Sequence, residues 1–159
     1  MLREITWPDG IDSDYEAFLK LKDDPVRPHI PKLVRYTKNR HTLYLTDDSP
    51  EVMASKRIQA IVCIALNNIL AEDEVDLYSY SDFEHENTFA HLYTIWSYGK
   101  GAGRQLALDT VDHIKKTYPH VKRVLTLSPK TEMARKFHTK NGALELQENE
   151  NTINFEYRI

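Results

Sequence analysis

From Arg57 to Leu66 every position is apolar except Arg57 and Gln59, the pattern of a central strand covered on both faces. A second strand-like run extends from Thr88 to Trp96. After Gln105 the apolar or small positions Ala107, Thr110, Val111 and Ile114 recur at helical spacing up to Tyr118, with Arg104, Asp112 and Lys115 on the polar side. Leu2 to Trp7 reads as a first strand, ended by the turn Pro8-Asp9-Gly10. Asp12 or Ser13 can cap a helix running through Tyr15, Phe18, Leu19 and Lys22 and stopping before Pro25. Pro25 to Pro31 holds three prolines and is a stiff loop or helix entry. Strands are expected at His41 to Thr46 and Val121 to Leu127, and a short helix from Ala134 closed by Asn141-Gly142. Ala143 to Gln147 and Asn151 to Ile159 straddle Glu148-Asn149-Glu150 as a hairpin. The sum is an α/β (α+β) chain, a mixed sheet with helices on its faces.

Bulk properties narrow the class. The 159 residues suffice for one domain spanning 1–159. A net charge of −3 with no long basic run argues against a nucleic-acid partner. Cys63 is alone and sits in the apolar run, so a reducing compartment, by default the cytoplasm, is expected. There is no basic-then-apolar leader and no apolar stretch of about 18 residues, so no membrane partner is expected. No metal site is expected either.

Between the second strand and the long helix lies Tyr98-Gly99-Lys100-Gly101-Ala102-Gly103-Arg104. Alternate glycines let a ligand approach the backbone, and amides ahead of a helix's first turn are unpaired and carry the positive end of its dipole. Strand, glycine turn and helix together suit a pyrophosphate, although a Gly-x-Gly here can also be a plain tight turn. Gly101 is followed by Ala102, which excludes a P-loop, and Leu106 stands where a dinucleotide fingerprint needs its third glycine.

Two motifs in order, Tyr98-x-x-Gly101-x-Gly103 and Ala134-x-x-Phe137-His138-x-x-x-Gly142-Ala143, resemble those of the Gcn5-related N-acetyltransferase (GNAT) superfamily. The resemblance runs from about Thr88 to Gly142. It implies a mixed, mostly antiparallel central sheet flanked by helices, with acetyl-CoA as co-substrate and an amine as acceptor, small molecule or protein, in a monomer or homodimer. It also implies that the strand before the loop splays from its neighbour, with main-chain contacts to the pantetheine arm at Tyr93 to Trp96, Tyr93 and Ile95 among them. Tyr98, Gly99, Lys100, Gly101, Ala102, Gly103 and Arg104 would hold the pyrophosphate, and Thr131 and Phe137 would flank the arm. Tyr98 replaces the usual Gln or Arg, Thr131 a frequent asparagine, and His138 the tyrosine that is often the general acid.

For the base, Glu84, His85, Glu86 and His91 precede or begin the strand; Glu86 is first choice and His91 the alternative. As an imidazolium, His138 could protonate the departing thiolate. Leu127-Ser128-Pro129 resembles a Ser-Pro segment of malonyl-CoA decarboxylase, which is built on the same fold, and would set Ser128 at a substrate carboxylate; its plain reading, with Thr131, is a strand end and helix cap. The carboxylates of Glu72 to Asp76 and Asp82 to Glu86 would favour a cationic acceptor if they border the cleft, whereas Arg27 and His29 would favour an anionic one. The expected function is direct N-acyl transfer with no acyl-enzyme, since Cys63 lies in an apolar strand. A non-catalytic acyl-CoA sensor or partner-binding module and an acyl-CoA decarboxylase are the alternatives.

Overall fold

The computed structural model describes residues 1–6 and 12–159, without the side chains at 12 and 13. The turn expected at Pro8-Asp9-Gly10 lies outside the described residues, as do the capping side chains expected at Asp12 or Ser13. Strands β1 (Leu2–Glu4), β2 (Arg40–Thr46), β3 (Ile58–Asn67), β4 (Phe89–Ser97), β5 (Arg123–Thr126), β6 (Ser128–Pro129), β7 (Leu144–Glu148) and β8 (Thr152–Tyr157) build one sheet. Its order is β1-β2-β3-β4-β5-β8-β6, with β7 on β8. Every pairing is antiparallel except β4 with β5. Helices α1 (Asp12–Lys20), α2 (Ala102–Thr117) and α3 (Glu132–Lys140) complete the chain, giving the mixed, mostly antiparallel sheet with helices that was expected.

The long apolar run becomes β3, and alternation sends its side chains to two cores. Ala60, Val62, Ile64 and Leu66 pack with Leu106 and Ile114 of α2. Ile61, Cys63 and Ala65 pack with Ala17 of α1, Leu21 and Tyr93. α2 begins at Ala102, three residues before Gln105, because Gly101, at φ +77°, turns the chain directly into the first helical turn.

The loop after α1 is anchored by a buried ion pair. Arg35 donates to Asp24 at 2.7 Å, and both are essentially inaccessible. Asp24 also accepts from the amides of Val26 and Arg27 at 2.8 and 3.0 Å and from Thr94 of β4 at 2.7 Å. Burial raises the Asp24 carboxyl, but these donors more than offset it, so its pKa stays below the usual value. Segment 24–27 is thereby fixed to the middle of β4.

Candidate functional site

β4 and β5 begin as neighbours and then part. They pair from Phe89↔Arg123 to Leu92↔Thr126, and the Leu127 amide still reaches the Leu92 carbonyl at 3.0 Å. Beyond that point β6 turns to β8. On the other side of β4 the register with β3 jumps from Leu92↔Ile64 to Thr94↔Cys63, leaving Tyr93 as the extra residue of a bulge. The divergence opens a cavity of about 630 Å³ between Leu92–Ser97, Leu127–Pro129 and the α3 residues Ala134, Phe137 and His138, with Pro25 and Val26 also on its wall. The Tyr98 amide bonds Gln59 of the β3 chain at 2.8 Å. Counting back by alternation, Trp96 and Thr94 face β3, while the backbone groups of Ile95 and Ser97 face the cleft.

At the end of β4 the glycine turn enters α2. Gly101 holds a positive φ that a side chain would strain, and its N-cap position has no side-chain cap. Among the described residues the amides of Gly101, Gly103 and Arg104 donate to no acceptor, whereas those of Gly99 and Ala102 are taken by Gln59 and Gly99. Gly103 faces the cleft with Phe137 of α3 beyond it, and a Cβ there would meet the Phe137 ring at an ordinary 3.5 Å. Gly103→Ala should therefore keep or raise fold stability by about 0.5–1 kcal/mol. If the turn cradles a phosphate, the same change should weaken acyl-CoA binding about tenfold (~1.4 kcal/mol). Titration calorimetry with a parallel melt reads both; undiminished affinity would make the turn purely structural.

The loop side chains divide. Tyr98 turns toward α1, donating to Asp23 at 2.6 Å and accepting from Trp96 at 2.9 Å, with the Lys20 ammonium 4.8 Å from its ring centre. Burial raises its pKa. The Arg104 guanidinium caps the end of α3 through the Lys140 carbonyl and Asn141 at 3.0 and 2.9 Å. Neither side chain is aimed into the turn, which corrects the expectation for both. Lys100 is exposed and Ala102 buried beneath the turn. Thr131 caps α3, accepting from the Ala134 amide at 3.1 Å, and lines the cleft with Phe137. Tyr93 reaches the cleft, while its ring packs into the α1-side core 5.0 Å from the Arg40 guanidinium.

The catalytic expectations need correction. Glu86 is exposed in a 3-10 turn (Glu84–Glu86) ahead of β4, outside the lining of the cleft. His91 is fully buried with both nitrogens occupied: Nε2 accepts from the Ala71 amide at 2.9 Å and Nδ1 pairs with Asn67 at 2.9 Å. Burial pushes it down to about 3, so it is a structural histidine. His138 is not the solvent-facing residue that its lysine neighbours suggest. It is buried, lines the cleft, stacks on Phe155 at 5.1 Å and shares a 2.7 Å hydrogen bond from Nδ1 with the Tyr157 hydroxyl. Burial pushes its imidazole down to about 4, which removes the imidazolium from its role near neutral pH. When the tyrosine donates, the ring proton resides on Nε2. Ser128, also buried and on the cleft, donates to Thr126 at 2.8 Å.

The rival acceptor signals meet each other. Glu74 lies 3.0 Å from Arg27 and 2.7 Å from His29, so these side chains are engaged with one another. The cleft lining carries no Asp, Glu, Lys or Arg among the described residues. Sequence reading missed Asp24, Pro25 and Val26; the signal was Asp24-Pro25, an Asx-turn start that folds the next two amides back onto the carboxylate. Among the described residues no cluster of metal-ligating side chains occurs, and no helix is long and apolar enough to cross a membrane.

No protein-family model and no curated protein sequence matches the chain; solved structures do. Malonyl-CoA decarboxylase from Rhodopseudomonas palustris superposes with a TM-score of 0.72 at 15% identity, over 100% of this chain and 60% of that one. Arabidopsis thaliana NAA60, in complex with acetyl-CoA, gives 0.66 at 16% identity over 99% and 97% of the two chains. Tetrahymena GCN5 gives 0.61 at 13% identity over 99% and 96%. The chain has a GNAT-like fold. At these identities the likeness is one of fold, and the chain spans 60% of the decarboxylase it superposes on.

Proposed function

We propose that this chain is an acyl-CoA-dependent enzyme, a GNAT-type N-acyltransferase that passes an acetyl or related acyl group directly from the thioester to an amine in a ternary complex. One observation carries the reading: the backbone of Ile95 and Ser97, left without a strand partner, lies in the same cleft as Gly103, whose amide, like that of Gly101 two residues before it, is unpartnered. An unpaired strand edge recruits an extended chain with amide groups. Helix-start amides recruit a diphosphate. Coenzyme A offers both on one molecule, and the superposable NAA60 structure contains acetyl-CoA. In this reading Thr131 and Phe137 flank the arm, and direct transfer follows because Cys63 is fully buried with its thiol pKa raised by desolvation. Acetyl-CoA at a hundred times its dissociation constant should add about 2.7 kcal/mol and raise the melting midpoint by about 5–10 °C. Silence with acetyl-, malonyl- and succinyl-CoA alike would end the reading.

A second chemistry has an observation of its own. Ser128 and His138 are buried on the cleft while the candidate bases Glu86 and His91 are not available to it. Transfer to an amine calls for removal of a proton. Loss of carbon dioxide from a malonyl thioester instead needs hydrogen-bond donors at the thioester oxygen and a proton returned to carbon. Thiol release that depends on an added amine supports transfer. Carbon dioxide release without an amine, leaving acetyl-CoA, supports decarboxylation. Binding with neither product supports a sensor.

A further inference from the structure

Resting on the reading of the cleft as an acyl-CoA site, we infer that Arg27 is a positioning residue that fixes where β4 parts from β5 and so sets the geometry of the thioester end of the cleft. The last ladder bond between the two sides ends on the Leu92 carbonyl. The next carbonyl, that of the bulge residue Tyr93, accepts from the Arg27 guanidinium instead. Arg27 is only 4% exposed, and burying a guanidinium is costly unless its partners are fixed. Here the Tyr93 carbonyl takes one arm of it, Glu74 forms an ion pair 3.0 Å from Nε without hydrogen-bond geometry, and the backbone of Arg27 is itself held, its amide donating to Asp24 and its carbonyl accepting from Arg35 at 2.7 Å. Asp24 in turn holds the Thr94 hydroxyl. Two successive residues of the bulge are therefore fastened to one loop, one through its carbonyl and one through its side chain. The peptide after Tyr93–Thr94 carries the Ile95 amide toward the cleft, so its direction depends on this fastening.

The position along the strand predicts which part of the ligand feels it. The glycine turn follows the C-terminal end of β4, and an arm running back along the strand brings its acyl end toward Tyr93. Arg27 should thus govern the acyl end and leave the phosphate end alone. The experiment compares wild type with Arg27→Gln, Arg27→Lys and Glu74→Gln, well below their melting midpoints, using acetyl-CoA and adenosine 3′,5′-bisphosphate as probes. Arg27→Gln should bind acetyl-CoA at least tenfold more weakly and the bisphosphate as wild type does. Arg27→Lys and Glu74→Gln should fall between, because a lysine cannot span both the Tyr93 carbonyl and Glu74. Amide resonances should move at Thr94 and Ile95 and stay in place at Gly101 and Gly103. Equal weakening of both probes, or resonance shifts spread over the whole fold, would reduce Arg27 to a structural residue. Unchanged acetyl-CoA binding with unmoved Ile95 would overturn the inference outright. Failure of the wild type to bind acetyl-CoA would instead dispose of the acyl-CoA reading itself.

Discussion

Between pH 7 and pH 4 this protein should lose as much as about 6 kcal/mol of folding stability, with two histidines as the main cause. His91 and His138 are both buried neutral, with pKa values pushed down to about 3 and about 4 by desolvation, whereas an unfolded histidine takes its proton near 6.5. A depressed folded value means that the unfolded chain binds the proton first. The stability is complete above about pH 6.5, falls as pH drops below it, and stops falling for each group once its folded pKa is passed. By pH 4 each contributes about 3 kcal/mol of loss, and between them the slope approaches 2.7 kcal/mol per pH unit. That is a large share of the 5–15 kcal/mol typical of a domain. Below pH 4 the lowered carboxyls of Asp24, Glu4 and Glu156 push the same way. Urea titrations at pH 7, 6, 5 and 4 measure the slope, and His138→Phe should roughly halve it. A stability that is flat from pH 7 to 5, or a slope indifferent to His138→Phe, would contradict the assignment.

What the sequence made legible follows the range of the signals. Local periodicity placed β3, because covering on both faces leaves a continuous apolar run, and placed α2 and the closing hairpin within a few residues. The glycine turn was legible because its shape is set by its own backbone and by the side chains that Gly101 and Gly103 lack. The contacts that complete the cleft are long-range. Thr94 meets Asp24 across 70 positions and Tyr93 meets Arg27 across 66, and no window of local pattern contains both partners. Arg35 escapes for the same reason: no local pattern marks it, yet it is the centre of a buried network. Glu86 misleads differently. It has the right chemistry close to the right strand, but the 3-10 turn leaves it in solvent before β4 begins. For His138 a usable signal existed: Ala134, Phe137, His138 and Asn141 share a helical face, and that face covers Phe155 and Tyr157 of β8.

Replacing His138 by phenylalanine should cut turnover about a hundredfold while leaving acyl-CoA affinity within about threefold. With the imidazole held near 4, roughly one molecule in a thousand carries the imidazolium at pH 7. A charged acid is therefore the wrong description of this residue at neutral pH. A neutral ring anchored by Tyr157 still carries one N–H, and a donor fixed in a desolvated wall stabilises charge as it develops on a thioester oxygen or departing sulfur. Affinity should survive because the backbone of Ile95 and the amides of the glycine turn, which carry the arm and the diphosphate in this reading, are untouched. The phenyl ring can keep the stacking on Phe155. The pH profile separates the two roles: a neutral donor gives turnover that is level through pH 6.5 and declines only toward pH 4. An acidic limb near 6.5 that disappears in the His138→Phe variant would restore the imidazolium. Tyr157→Phe offers a further test, since it removes the partner at Nδ1 and keeps the ring in place. It should lower turnover less than His138→Phe does, and a larger loss would move the catalytic donor from the histidine to the tyrosine.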